Sequence, residues 1–128
     1  MLSKAKKPYS KYVRCAIESI KQHIDNNPFH CKTAFELLDQ LSTPNRNSVE
    51  KSFKDIFGAG IKEYQVRQRL EASKKVLEMG MTKKQIAHKC HYSCQASFSR
   101  AFKSAFNLTP TEWQNLDEYQ NNNELAIL

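Results

Sequence analysis

The chain has 128 residues, long enough for one sizeable core or for two small ones sharing a helix. A formal net charge of +7 and a sequence pI near 9.3 make a nucleic-acid partner a fair expectation, while three Gly and four Pro disfavour long coil linkers and β-rich folds. No apolar run approaches the ~20 residues of a membrane span and no apolar segment follows the N-terminal charges as in a signal peptide, so a cytoplasmic location is expected, with Cys15, Cys31, Cys90 and Cys94 reduced.

Residues 1–8 read as a flexible basic arm with Lys4, Lys6 and Lys7, and Lys11 and Arg14 follow before any acid appears. The other end is reversed: residues 115–128 hold Asp117, Glu118 and Glu124 and no base. Taken alone, such an arm is as well explained as a solvated tail. From Tyr9 to about Asn26, Tyr12-Val13, Ala16-Ile17, Ile20 and Ile24 recur at helical spacing, and Asn26-Asn27-Pro28 ends the helix.

Thr33 and Glu36 have the spacing of a capping box, opening a helix whose apolar side is Leu37, Leu38 and Leu41. Ser42-Thr43-Pro44 is a turn, and Asn45 is the expected N-cap of the next helix, which runs to about Phe57 with Val49, Phe53, Ile56 and Phe57 inside. Asn47, Lys51 and Lys54 lie opposite Val49. A long helix of about 28 Å is expected over 61–79, from a rise of about 1.5 Å per residue, with Tyr64, Val66, Leu70, Val76 and Leu77 available for packing and Gly80 as its left-handed C-cap.

Thr82 and Gln85 form a further capping box, followed by Ile86, Ala87 and Cys90 on a short helix and a break at His91-Tyr92-Ser93. The next helix places Phe98, Phe102, Ala105 and Phe106 on its buried side and Ala96, Arg100 and Lys103 opposite Phe98. Thr109 caps a last helix that begins at Pro110 and carries Trp113 and Leu116; residues 121–128 read as a tail.

Residues 33–65 align without a gap on residues 82–114. Thr33 meets Thr82, Leu37 Ile86, Leu38 Ala87, Leu41 Cys90, Asn45 Cys94, Val49 Phe98, Phe53 Phe102, Lys54 Lys103 and Phe57 Phe106, and Glu63-Tyr64-Gln65 meets Glu112-Trp113-Gln114. One supersecondary unit is used twice. Each copy is a short helix, a tight turn and a second helix with a dry back and a polar front, the pattern of a helix-turn-helix. The fold class expected is all-α: two helix-turn-helix subdomains (9–60 and 80–120) joined by a linker helix (61–79), about seven helices in all.

The arrangement resembles the DNA-binding domain of the AraC/XylS family of transcription regulators. The likeness is carried by Phe53-Lys54-Asp55-Ile56-Phe57-Gly58, by residues 69–77 (RLEASKKVL), by Gln85-Ile86-Ala87 and Tyr92-Ser93, by Phe98-Ser99-Arg100-Ala101-Phe102-Lys103 with Phe106, and by Thr109-Pro110-Thr111-Glu112-Trp113. It covers roughly residues 10–116. The chain departs from the family at His91, which replaces a turn Gly and is expected in an unfavourable backbone conformation, at Ser73, which replaces an Ala, and at Leu38 and the Ser42-Thr43-Pro44 turn.

The resemblance implies that the second helix of each unit enters one of two successive major grooves of duplex DNA, with half-sites about one helical turn, ~10 bp, apart. It places base contacts on Arg46, Asn47, Glu50 and Lys51 in the first unit and on Gln95, Ala96, Ser97, Ser99 and Arg100 in the second. Arg and Lys suit guanine, Asn adenine, Glu cytosine, and an Ala methyl thymine. Lys54, Lys103, Ser93, Lys6 and Lys7 are expected on phosphates, which position the protein without reading sequence.

Cys90-His91 with Cys94 and His88 also has the residue types of a zinc site. The repeat argues against it, since Cys90 takes the place of a core Leu and Cys94 that of a cap, so no metal and no cofactor are expected; a redox role for Cys94 at a helix N-terminus is the other reading. No nucleophile–base spacing and no Gly-rich phosphate loop point to an enzyme. Double-stranded DNA is the expected partner, with RNA polymerase a further one, for a monomer associated with the nucleoid. Two alternatives stand beside this: a module binding polymerase or another regulator, and the DNA-binding fragment of a longer ligand-responsive receptor.

Overall fold

In a computed structural model, residues 10–116 are described. The basic arm with Lys6 and Lys7, and the C-terminal tail, lie outside them. Among the described residues there are seven helices and no strand. They are α1 (Lys11–Asn26), α2 (Ala34–Gln40), α3 (Arg46–Phe57), α4 (Ile61–Glu78), α5 (Lys83–Lys89), α6 (Gln95–Phe106) and α7, which occupies residues 110–116. The chain divides into two compact units, one up to Gln68 and one from Arg69, so each includes part of α4.

The first unit closes around Ile17, Ile20 and Ile24 of α1, Leu37 and Leu38 of α2, Val49 and Phe53 of α3, and Cys31 and Ile61. Ser10 caps α1 by accepting from the Val13 N–H at 3.1 Å. Three residues meet on the Asp25 carboxylate: Lys21 one turn back at 2.9 Å and, from α4, Gln68 at 3.1 Å and the Tyr64 hydroxyl. These contacts fasten the start of α4 to the end of α1. Burial pushes the Asp25 pKa up, but the hydrogen bonds from Tyr64, Lys21 and Gln68 outweigh it, and the net shift is downward.

A depressed folded-state pKa means stability that is present above the unfolded value, near 3.8, and lost as pH falls through the folded one. Asp25→Asn should cost about 1–2 kcal/mol at neutral pH, reduced from a buried ionic cluster because the pair is partly solvated. The same change should flatten the acid limb of the stability curve below about pH 4. Urea unfolding of both proteins across pH 3–7 measures this; parallel curves would exclude Asp25 as the group concerned.

The second unit buries Leu70 and Leu77 of α4, Ile86 and Ala87 of α5, Cys90, Phe98 and Phe102 of α6, and Pro110. Its helix ends are tied by capping boxes. Thr82 accepts from the Gln85 N–H at 3.1 Å while Gln85 accepts from the Thr82 N–H at 3.0 Å, and Thr109 and Glu112 do the same at 3.1 and 2.8 Å. At Thr33 only half of the expected box forms: Thr33 accepts from the Glu36 N–H, but the Glu36 carboxylate accepts from Lys32 instead.

Three expectations are corrected. Asn45 does not cap α3: it lies in the left-handed region (φ 51°, ψ 50°) and makes no cap hydrogen bond. Ile56 and Ala105, taken as buried, are both exposed. They occupy equivalent positions in the repeat, at the edge of a stripe that Val49, Phe53 and Phe57, or Phe98, Phe102 and Phe106, already fill.

Candidate nucleic-acid interface

Each second helix is held by the turn that precedes it, and the two turns match through their first half and part at the N-cap, where Asn45 is left-handed (φ 51°, ψ 50°) and Cys94 extended (φ −153°, ψ 163°). Leu41 ends α2 at φ −83°, ψ 3°, and Cys90 ends α5 at φ −84°, ψ 5°. Next come Ser42 and His91, both left-handed at φ 52° and 67°. The Ser42 and His91 N–H groups each donate at 3.0 Å to the carbonyl three residues back, and the Thr43 and Tyr92 N–H groups each donate at 2.9 Å to Leu38 and Ala87. This is the Schellman arrangement, in which the left-handed residue is ordinarily Gly. A non-Gly residue there costs roughly 1–2 kcal/mol, so the unfavourable conformation expected at His91 is present, and Ser42 shares it. After the turn, α3 and α6 have twelve residues each and end on a left-handed residue, Gly58 and Asn107.

The backs of these helices are dry and their fronts wet. Val49 and Phe53, and Phe98 and Phe102, are completely buried. On the front of α3, Asn47, Glu50, Lys51 and Lys54 are exposed, and Arg46 is half-buried. On the front of α6, Gln95, Ala96, Arg100 and Lys103 are exposed, as is Ser93 in the turn, while Ser97 and Ser99 are half-buried. Within each unit the solvent-facing side thus holds most of the candidate residues, while Ser97 and Ser99 flank the buried Phe98. The charges differ: α3 mixes Arg46, Lys51 and Lys54 with Glu50 and Asp55, whereas α6 has Arg100 and Lys103 and no acid.

Two contacts constrain the front. The Arg46 guanidinium donates to Asp39 at 3.1 Å and lies 4.9 Å over the Phe35 ring, bracing the first turn of α3 against α2. Phe35 is otherwise exposed. Its repeat partner is Lys84, so this apolar position has no apolar counterpart in the second unit, and that mismatch is the one sign in the sequence that marks the place. In the second unit the Cys94 sulfur lies 3.3 Å from the Ser97 hydroxyl, and hydrogen bonding from Ser97 holds this exposed thiol below its ordinary pKa. Burial pushes the Cys90 thiol up to about 12, with Arg69 and Lys89 opposing, so Cys90 is a small apolar core residue at neutral pH.

Comparison with known proteins agrees with this geometry. Residues 44–116 match the family described as "Helix-turn-helix domain". A 67-residue region is 39% identical to the "Probable transcription factor PqrA" of Proteus vulgaris, covering 52% of this chain and 55% of that protein. A 96-residue region is 35% identical to the "Probable transcriptional regulator LumQ" of Photobacterium leiognathi, covering 74% of this chain and 37% of that one. The chain belongs to the AraC/XylS-type helix-turn-helix family of DNA-binding transcription regulators.

The fold is shared with the C-terminal domain of AraT, a response regulator from Geobacillus stearothermophilus (TM-score 0.64, 22% identity, 84% of this chain and 86% of that one). It is shared also with the xylose-binding transcription activator xylR (TM-score 0.60, 23% identity, 87% and 28%). The chain spans about half the length of the PqrA protein and about a third of LumQ. The family is one of regulators and not an enzyme class. No helix among the described residues is long and apolar enough to cross a membrane.

Polar residues buried on α4 escaped the sequence reading. Gln65, Arg69 and Ser73 are all inside. Gln65 donates to the Thr33 carbonyl at 3.2 Å, which ties α4 to the cap of α2 in the first unit, and the buried Ser73 hydroxyl donates to the Leu70 carbonyl. In the second unit, Gln114 donates to the Leu77 carbonyl at 3.2 Å. Gln65 and Gln114 thus fasten α4 within the first and the second unit respectively.

Proposed function

We propose that the chain regulates transcription by binding a two-part site in promoter DNA, with α3 reading one half and α6 the other. The observation that carries this is the duplicated presentation: the same Schellman entry to the turn, the same helix length and the same buried face, twice, each leaving a polar front exposed. On α3, Lys51 is suited to guanine, Asn47 to adenine and Glu50 to cytosine, and Arg46 reaches a base only by releasing Asp39. On α6, Arg100 is the strongest reader, Gln95 a second, and Ala96 a thymine-methyl contact, with Ser97 and Ser99 at the edge of the face. Lys54, Lys103 and Ser93, and Lys6 and Lys7 of the arm, hold phosphates. The half-sites lie about one helical turn, ~10 bp, apart. The protein acts in the cytoplasm on the nucleoid, as a monomer, with RNA polymerase as the partner through which promoter binding takes effect.

Selection from a random duplex pool, followed by gel shifts over a salt series, tests this reading. Two short motifs separated by one turn should emerge, and log affinity should fall linearly with log salt at a slope of about 0.9 per neutralised phosphate. Equal affinity for all duplexes, or a single undivided motif, would overturn it.

A further inference from the structure

The connector between α1 and α2 gathers three side chains for which DNA reading has no use. His23 lies in the last turn of α1, and His30 and Cys31 follow in the connector. One ligand atom from each lies within 4.8 Å of the other two. The two imidazole rings are 5.3 Å apart, tilted by 32°. Cys31 is buried, with its sulfur 3.6 Å from the side-chain oxygen of Gln40 at the end of α2.

The backbone holds this trio in place. The Asn27 N–H and its side-chain amide both donate to the His23 carbonyl, at 2.9 and 3.2 Å, and the His30 N–H donates to the Asn27 carbonyl at 3.1 Å. His23 Nε2 is buried and, among the described residues, no protein group hydrogen-bonds it, an arrangement that calls for an explanation.

We propose that His23, His30 and Cys31 bind a borderline-soft transition-metal ion, zinc(II) in the first instance, with the fourth position taken by water or by Gln40. Two imidazoles and a thiolate select zinc over calcium or magnesium, which want oxygen ligands. With bonds of about 2.0–2.3 Å, tetrahedral ligand atoms sit roughly 3.3–3.8 Å apart, so the trio closes by about 1 Å, within reach of rotamer adjustment. Binding breaks the Cys31 S–H bond and forms the S–Zn bond, and the proton leaves to solvent. The ion ties the end of α1 to the segment entering α2, two residues before the Thr33 cap. The repeat has no second such site, because Met79 and Gly80 stand where His30 and Cys31 would fall.

The full chain, reduced and stripped of metal, is titrated with zinc(II) against a chromophoric chelator, with cobalt(II) as a spectroscopic probe, and anaerobically with copper(I). About one zinc ion per chain is expected, and cobalt should give a thiolate charge-transfer band with the intense visible bands of a tetrahedral site. His30→Gln and Cys31→Ser should each abolish the thiolate-dependent spectrum or weaken zinc binding by more than about tenfold, the least that even outer-sphere losses produce. Cys94→Ser should leave both unchanged. His30 is exposed, so its variant keeps the test decisive if Cys31→Ser disturbs the core. Substoichiometric zinc, uptake that survives both variants, loss in Cys94→Ser, or a site that takes copper(I) but not zinc would each overturn the proposal.

Discussion

Phe102→Ala should destabilise the second unit by about 3–5 kcal/mol, the range for truncating a fully buried aromatic. Phe102 is completely buried and sits at the centre of a row, edge-on to Phe98 at 5.9 Å and to Phe106 at 4.7 Å. The Lys74 ammonium lies 3.8 Å over the Phe106 ring, so one end of the row is closed by a cation. The first unit repeats the device: Phe53 is edge-on to Phe57 at 4.7 Å and to Tyr64 at 5.7 Å. A loss of that size is a large share of the roughly 5–15 kcal/mol that holds a domain together. The single tryptophan, Trp113, belongs to the second unit and reports on it. Its fluorescence should lose its cooperative urea transition, or shift it to much lower urea, in Phe102→Ala. Phe102→Leu, closer in volume, should keep most of the midpoint. A cost below about 1 kcal/mol for the Ala variant would mean that this row is not what carries α6.

The parts of the fold that the sequence made legible are those set by local chemistry. Caps at Thr82 and Thr109, the apolar spacing of Val49 and Phe53 or Phe98 and Phe102, and the repeat itself depend on residues a few positions apart. The failures come from competition that spacing does not record. Asn45 is a good cap by propensity, yet Asn also tolerates the left-handed region, and the turn from Ser42 to Asn45 uses that second capacity. Ile56 is apolar and within helical reach of Phe53, but the row from Val49 to Phe57 leaves it outside. Contacts such as Tyr64 and Gln68 on Asp25, Gln65 on Thr33, and His23 with His30 and Cys31 join residues by topology, and no periodicity announces them. On the fronts of α3 and α6, exposure was legible from the residues opposite Phe98 and Val49. The bracing of Arg46 by Asp39 and Phe35 was not, although the Phe35–Lys84 mismatch marked the place.

Arg100→Ala should weaken binding to the preferred duplex by about 1–3 kcal/mol, roughly a 5- to 150-fold loss, and relax selectivity at one base position. Arg100 is exposed on the side of α6 opposite the buried Phe98, and Ala96, one turn earlier on the same face, is too small to obstruct its approach to a base edge. No acid on α6 competes for the guanidinium. Arg100→Lys should recover charge but little selectivity, since only the planar fork matches guanine O6 and N7 bidentately. Lys103 is one turn further along and should behave differently: Lys103→Ala should weaken all duplexes about equally and lower the salt slope by about 1. Affinities for the selected site and for single-base variants, at two salt concentrations, separate the two roles. If Arg100→Ala instead reduces every duplex alike and lowers the salt slope, Arg100 holds phosphate and the reading of the second half-site must pass to Gln95 and Ala96. Their amide and methyl groups offer far less discrimination than a guanidinium, so α6 would then position the protein while α3, with Asn47, Glu50 and Lys51 exposed, supplied most of the sequence readout.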